Sequence, residues 1–239
     1  MSKYLNKISL FKINKFLFFW IRKINKLPIY FLFFIYASAS YGDLGSSYIM
    51  DLLREDGFFE NMSFIFILFS SFMFFIKYQN KKLKKQLKNK KYLLFLSSIT
   101  FFWALEEISY GQRIFQFYLP SLEKINLQQE ANLHNIVSLD LLHSLYFIFC
   151  LFVSFLCILS NKYKSKFLPQ FKNILFFLLP SLYYGLGLSI KLCILIFTPD
   201  IEWYKLIETN ALWRFGEAYE FLLACGTFLY AYDFNEKLN

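Results

Sequence analysis

The sequence predicts an all-α fold, a polytopic transmembrane helical bundle of about six spans with its N- and C-termini inside, and three observations predict it. Of 239 residues, 57% are hydrophobic, 23% aromatic and only 18% charged, against about 25% charged in an ordinary soluble domain. The 33 Phe and 17 Tyr sit in long apolar blocks, of the length needed to cross a bilayer and not spaced to bury one globular core. Basic residues gather in alternate connections between those blocks: 20 of the 26 fall on one side with only two acids, Asp233 and Glu236, whereas the other side holds six basic and fifteen acidic residues. That asymmetry is the positive-inside pattern, and it sets both termini in the cytoplasm.

Residues 1–26 read as a basic cytoplasmic or interfacial segment carrying Lys3, Lys7, Lys12, Lys15, Arg22, Lys23 and Lys26. Within it, residues 8–21 set Phe11, Phe16, Leu17, Phe18, Phe19, Trp20 and Ile21 among lysines, which fits either a helix lying on an anionic inner leaflet or a frayed basic tail. Residues 27–239 read as one six-span domain, with spans at about 27–44, 58–77, 92–111, 139–160, 173–197 and 211–232. A helix needs roughly 20 residues to cross about 30 Å of hydrocarbon, and in lipid every backbone group must be bonded within its own segment. Strands do not fit, because the runs are too long and do not alternate. The first span contains Ala37, Ser38 and Ala39, the small-residue pattern of a signal-peptidase site; the long basic region before it favours an uncleaved helix. After the second span, the lysine run from Lys81 to Lys91 suits acidic headgroups or RNA, but a solvated positive-inside loop explains it without further assumption. In the fifth span, Pro180 removes a backbone donor and Gly185 and Gly187 loosen the helix, so that a kink or interruption there either opens a cavity or serves packing alone.

Membrane lipids are the partners this composition implies; protein partners cannot be named from it. Nucleic acid is excluded despite the net charge of +9, because the basic residues lie between apolar spans and not on a shared reading face. Cys150, Cys157, Cys193 and Cys225 fall inside apolar segments and read as small hydrophobes, not as a disulfide framework or metal motif. No Gly-rich phosphate loop or nucleophile elbow is present, and no cofactor is indicated.

Polar residues gather on the outer side. Span 3 ends in Trp103, Ala104, Leu105, Glu106, Glu107, Ile108, Ser109, Tyr110, Gly111, Gln112, Arg113, placing two adjacent carboxylates in costly positions that diverge by about 100° around the helix, so that at most one faces a shared site squarely. The next connection contains Glu130, His134 and Asn135; Glu130 and His134 are four apart, a spacing that suits metal ligation or the fixing of an imidazole tautomer. His143 in span 4 follows His134 by nine residues, which points the two rings to opposite faces of a continuous helix and counts against a simple two-histidine metal site. Whether a metal binds stays open. Lys191 lies inside span 5, and Trp213, Glu217 and Glu220 share one face of span 6 beside Arg214. Glu106, Glu107, Asp140, His143, Lys191, Arg214, Glu217 and Glu220 thus come from four spans at similar shallow depth. Such membrane-buried ionisable groups mark either a functional site or a buried ion-pair network.

The stretches Glu106 to Arg113 and Glu130 to Asn135 resemble the Glu-Glu-Ile-Ser-aromatic-Gly-Gln-Arg and Glu-x-Asn-Leu-His-Asn motifs of a group of bacterial multi-span membrane proteins without an established activity. The resemblance covers about an eighth of the chain and implies a multi-pass protein of the bacterial inner (plasma) membrane. The Glu-Glu pair with a later Arg, His and Asn is also similar to the CAAX-type intramembrane protease family. That family separates Glu-Glu from Arg by three residues, whereas Ile108 to Gln112 make five here. A zinc site like that of the alkaline ceramidase and progestin-receptor superfamily needs three histidines; this chain has two, so a carboxylate ligand would have to complete it.

The expected site therefore comprises Glu106, Glu107, Glu130 and His134 as catalytic residues, with Gln112, Arg113, Asn135, His143, Lys191, Arg214, Glu217 and Glu220 binding ligand. As an enzyme, the chain would hydrolyse or transfer a group on a lipid-like substrate, with Glu106 or Glu107 as general base and His134 positioned by Glu130. The alternatives are a transporter or binding subunit in which Glu217 and Glu220 hold a cation or proton, and a structural membrane protein with ion pairs serving only packing.

Overall fold

The structure is a computed structural model that describes residues 23–40, 57–79, 91–115, 139–165, 167–197 and 215–237. Among these the regular structure is entirely helical: α1 (Leu27–Ser40), α2 (Phe58–Gln79), α3 (Lys91–Glu107), α4 (Leu139–Tyr163), α5 (Leu175–Phe197) and α6 (Gly216–Lys237). A 3-10 turn at Ser109–Gly111 and one helical turn at Gln112–Phe115 follow α3, and a second 3-10 turn, Phe171–Asn173, precedes α5. Three stretches, Phe58–Gln79, Leu141–Tyr163 and Leu175–Cys193, are long and apolar enough to cross a membrane.

The packing departs from the rule for soluble helices. Outer faces carry large hydrophobes, among them Phe69, Phe72, Phe95, Phe102, Ile148, Phe152 and Leu186, all exposed, while Ser63, Ser70, Ser71, Ser97, Thr100, Ser154 and Ser181 are buried, as are Phe74, Phe176 and Phe234. Such a surface is costly in water and suited to hydrocarbon. Small residues inside let backbones approach closely, which is how helices associate when no hydrophobic force drives them together. Between α2 and α3 the approach is close enough for a reciprocal pair: Ser71 Oγ donates to the Ser97 carbonyl at 2.9 Å and Ser97 Oγ donates to the Ser71 carbonyl at 3.0 Å.

α6 is the hub. From Phe221 to Gly226 it is buried at every residue, although it is the least apolar of the six helices. The α2–α3 and α4–α5 hairpins flank it, through extensive packing within each hairpin and of α2 and α5 on α6. Ring contacts fix the directions. Phe59 and Phe66 meet Phe221, and Phe66 also meets Phe228, so α2 and α6 run parallel; Tyr183 stacks on Tyr219 while Asn173 bonds Asp233, so α5 runs against α6. One end of the bundle accordingly collects Glu60, Glu106, Glu107, Glu217 and Glu220, and the opposite end Lys77, Lys91, Lys162, Lys172 and Asp233.

Two expectations change. α5 continues through Pro180 without interruption, because the proline lies near the start of the helix, where only about one turn precedes it and few ladder bonds are disturbed. At Gly185 a Cβ would stand 2.7 Å from a Phe147 ring carbon, so that position serves close packing. The expected first span is represented by 14 helical residues, about 21 Å at 1.5 Å per residue. Phe31 packs on Tyr219 and Phe34 on Phe59, so this part of α1 lies level with the first turns of α2 and α6 and covers the acidic end of the bundle beside α5. Residues 41–44, residues 8–21 and the lysines from Lys81 to Lys90 lie outside the described residues.

Candidate functional site

With α1 over one gap between the hairpins, the other gap, between α3 and α4, stays open. It forms a cleft of about 360 Å³ walled by Ile99, Trp103, Leu142, Leu145, Tyr146 and Phe149, floored by Leu223 and closed at its acidic end by Glu106, Glu107 and Glu220.

The geometry of the carboxylates follows from how α3 ends. The helix stops at Glu107, and three successive residues take left-handed backbone conformations: Ser109 (φ 47°), Tyr110 (φ 53°) and Gly111 (φ 86°). Only glycine adopts that region at no steric cost, so the turn is strained at Ser109 and Tyr110. The reversal folds Tyr110 back onto α3, where its hydroxyl donates to Glu106. Glu107 is buried, and its Oε1 accepts from the Trp103 indole Nε1 at 2.7 Å, one turn earlier. Both acids thus occupy the C-terminal turn of a helix, where the macrodipole disfavours negative charge. Glu60 and Glu217 lie in the first turns of α2 and α6, where the dipole favours them.

Both Glu106 and Glu107 line the cleft, and Glu107 at the same time turns to a neighbour, the Trp103 indole.

Glu220 joins them from the second turn of α6. The hydroxyls of Tyr146 and Tyr184 donate to it, the latter at 3.4 Å, and Glu107 and Glu60 both lie within its electrostatic reach. Tyr146 in turn has Glu107, Glu217 and Glu220 as charged neighbours. Behind this layer, the Tyr184 ring stacks against His143 at 5.3 Å and Tyr146 at 5.2 Å between centroids.

The structure therefore brings together Glu106, Glu107 and Glu220, with Glu217 alongside. His143 is buried one layer behind, and it does not line the cleft. Lys191, half-buried on α5 two turns past Tyr184, and Gln112, in the turn after α3, are also away from the lining. Glu130, His134, Asn135, Trp213 and Arg214 lie outside the described residues, as do the side chains of Arg113 and Asp140. No group of three His, Cys, Asp or Glu among the described residues is arranged to hold a metal.

Sequence reasoning missed Glu60, Tyr146 and Tyr184. An acid in the first turn of an apolar run was the available signal for Glu60, and the i, i+3 spacing of His143 and Tyr146 for the tyrosine. It also missed a polar knot at the basic end, where Lys172 Nζ and Asn173 Nδ2 each donate to Asp233 at 2.8 Å. Beside it Tyr230 donates to the Phe167 carbonyl at 2.7 Å, among the rings of Phe74, Tyr92 and Phe234. This knot fastens the α4–α5 connection to α6.

Comparison of the chain with family models, with curated proteins and with solved structures finds no match.

Proposed function

We propose that the chain is a multi-pass protein of the bacterial inner membrane, its six segments crossing the bilayer with both termini in the cytoplasm, and that the cleft hydrolyses or transfers a group on a lipid-like substrate. The observation that carries the reading is the cleft itself, apolar along its walls and carboxylate-bearing at one end, with two of the acids at a helix C-terminus. Acids retained where the helix field opposes them are held at a cost, and the strained turn beside them has the same character. The gathering of Lys77, Lys91, Lys162 and Lys172 at the end opposite most of the acids supports the orientation, with Lys191 and Asp233 as the exceptions.

In this reading Glu106 or Glu107 is the general base, taking the proton from a water or an acceptor hydroxyl as its oxygen bonds to the transferred group; the bond from that group to the rest of the lipid breaks, and the carboxyl returns the proton to the departing part. Glu130, His134 and Asn135 lie in the sequence between Phe115 and Leu139, outside the described residues; this reading gives His134, positioned by Glu130, the second catalytic role.

The test compares lipid extracts from cells expressing the protein or its Glu106→Gln and Glu107→Gln variants, alongside the Tm of each purified protein. Glutamine keeps the hydrogen bonds and removes the base, so the expected result is a lipid species that changes with the wild type and not with the variants, at similar Tm. An unchanged lipid profile with a sharp loss of Tm in both variants sinks the enzyme and leaves a structural network.

A further inference from the structure

We infer that the α3–α4 cleft admits its ligand sideways from the membrane, and that the ligand is an amphiphile with an alkyl chain and an ammonium head. The inference rests on the membrane reading above and names the class of substrate. Three features carry it.

The first is the position of the opening. The bundle has two gaps between its hairpins; α1 covers one, and α3 and α4 leave the other without extensive contact. The lip of that gap is made by Ile99, Leu145 and Phe149, each lining the cleft and each exposed, at 48%, 54% and 46%. Exposed Phe95 and Phe152 continue the same two helix faces toward the basic end. A ligand entering here passes only apolar side chains, which suits a hydrocarbon tail and repels a soluble polar molecule.

The second feature is length. Ile99 precedes Glu107 by eight residues, so the apolar wall extends about 12 Å along α3 from the carboxylates. An alkyl chain lying in it, with its head at the acids, has its first methylenes enclosed and its remainder in the bilayer.

The third is the chemistry of the closed end. Glu106, Glu107 and Glu220 are charged negatively or accept hydrogen bonds, and no lysine or arginine is found among the described residues lining the cleft. Trp103 and Tyr146 stand beside them. The Trp103 N–H is bound to Glu107, and the residue lines the cleft beside it. Aromatic faces next to carboxylates are the combination that holds an ammonium group, by cation–π attraction and charge-assisted hydrogen bonds together. Among the described residues lining this end, an anionic or phosphate head meets three carboxyl groups.

The experiment uses the full chain with Trp20→Phe, Trp203→Phe and Trp213→Phe, so that Trp103 is the sole tryptophan, in phosphatidylcholine vesicles. Octadecylamine carrying a nitroxide a few carbons below its head is titrated against octadecanoate labelled in the same way. The expected result is saturable quenching of Trp103 by the amine, reversed by unlabelled octadecylamine, with a preference over the carboxylate of about tenfold, the scale of a desolvated cation–π contact. Leu145→Phe, which keeps every carboxylate and narrows the lip, should abolish the saturable part, as should Glu106→Gln combined with Glu220→Gln.

Equal, non-saturable quenching by both probes overturns the inference while leaving the protein membrane-embedded, because Trp103 then sees only bulk lipid. Preference for the carboxylate overturns the choice of head group. Quenching by neither probe, from protein with an intact helical circular dichroism spectrum, overturns the membrane reading together with the inference.

Discussion

Glu107 and Trp103 stand one helical turn apart, and the 2.7 Å bond between them determines what a substitution does. Glu107→Leu leaves a half-buried indole N–H without its acceptor, at a cost of about 1–3 kcal/mol; Glu107→Gln keeps an acceptor in place. Thermal unfolding in detergent should therefore separate the two variants, with leucine well below the wild type and glutamine close to it. If both fall alike, the charge and not the hydrogen bond holds the site together. Residue by residue, the site was legible where a charge interrupts an apolar run, which is why Glu106, Glu107, Glu217 and Glu220 stood out. Glu60 did not, because an acid in the first turn of a membrane helix is indistinguishable by position from an interfacial residue. Tyr146 and Tyr184 were hidden for a different reason: with 23% aromatics, no single tyrosine is an anomaly, and only the pairing of α4 with α5 and α6 gives these two a carboxylate.

Between elements, closeness of approach decides stability. A Cβ on Gly226 would stand 2.7 Å from the Cβ of Phe176 and 2.9 Å from the Phe177 ring, so Gly226→Val pushes α6 off α5. Overpacking of this kind costs about 1–3 kcal/mol, and chemical unfolding in detergent should register it. At the basic end, Asp233→Ala leaves the Asn173 amide, fully buried, without its carboxylate partner. The expected loss is again about 1–3 kcal/mol, together with faster proteolysis of the α4–α5 connection that the knot holds. A Gly226→Val protein as stable as wild type would mean that α5 and α6 do not pack as described. The existence of each helix was legible from apolar blocks near 20 residues long. The partners of each helix were not, since a block that is apolar all round gives no face to read; hence neither the centrality of α6 nor the level of α1 could be assigned from the sequence.

For the whole molecule, the distribution of side chains makes a prediction about its thiols. Cys193 is exposed on α5 among apolar neighbours, whereas Cys150, Cys157 and Cys225 are buried, and all four are free. A small apolar maleimide applied in mild detergent should add to one thiol, and to four after denaturation, counted by intact mass. Rapid modification of more than one thiol in the folded protein contradicts the described packing. The gathering of most lysines at one end of the bundle was more legible than any single contact, because it is a sum over many residues and survives errors in any one of them. The cleft was the least legible, since it depends on which two hairpins fail to meet.

The central place of α6 has a consequence for how the protein is made. Ribosomes deliver α2 to α5 before α6, and chains fold from the N-terminal side as they emerge. The two hairpins therefore exist before the helix that joins them; Ser71 and Ser97 already hold each other, whereas Tyr146 and Tyr184 wait without Glu220. α6, with Glu217, Glu220 and Asp233, is poorly suited to partition into lipid by itself, since each such residue disfavours insertion. On the proposed six-span topology, its passage into the membrane depends on the earlier hairpins, which offer it a polar lining that lipid does not. The acidic site would then be completed only when α6 arrives, in the final step of synthesis.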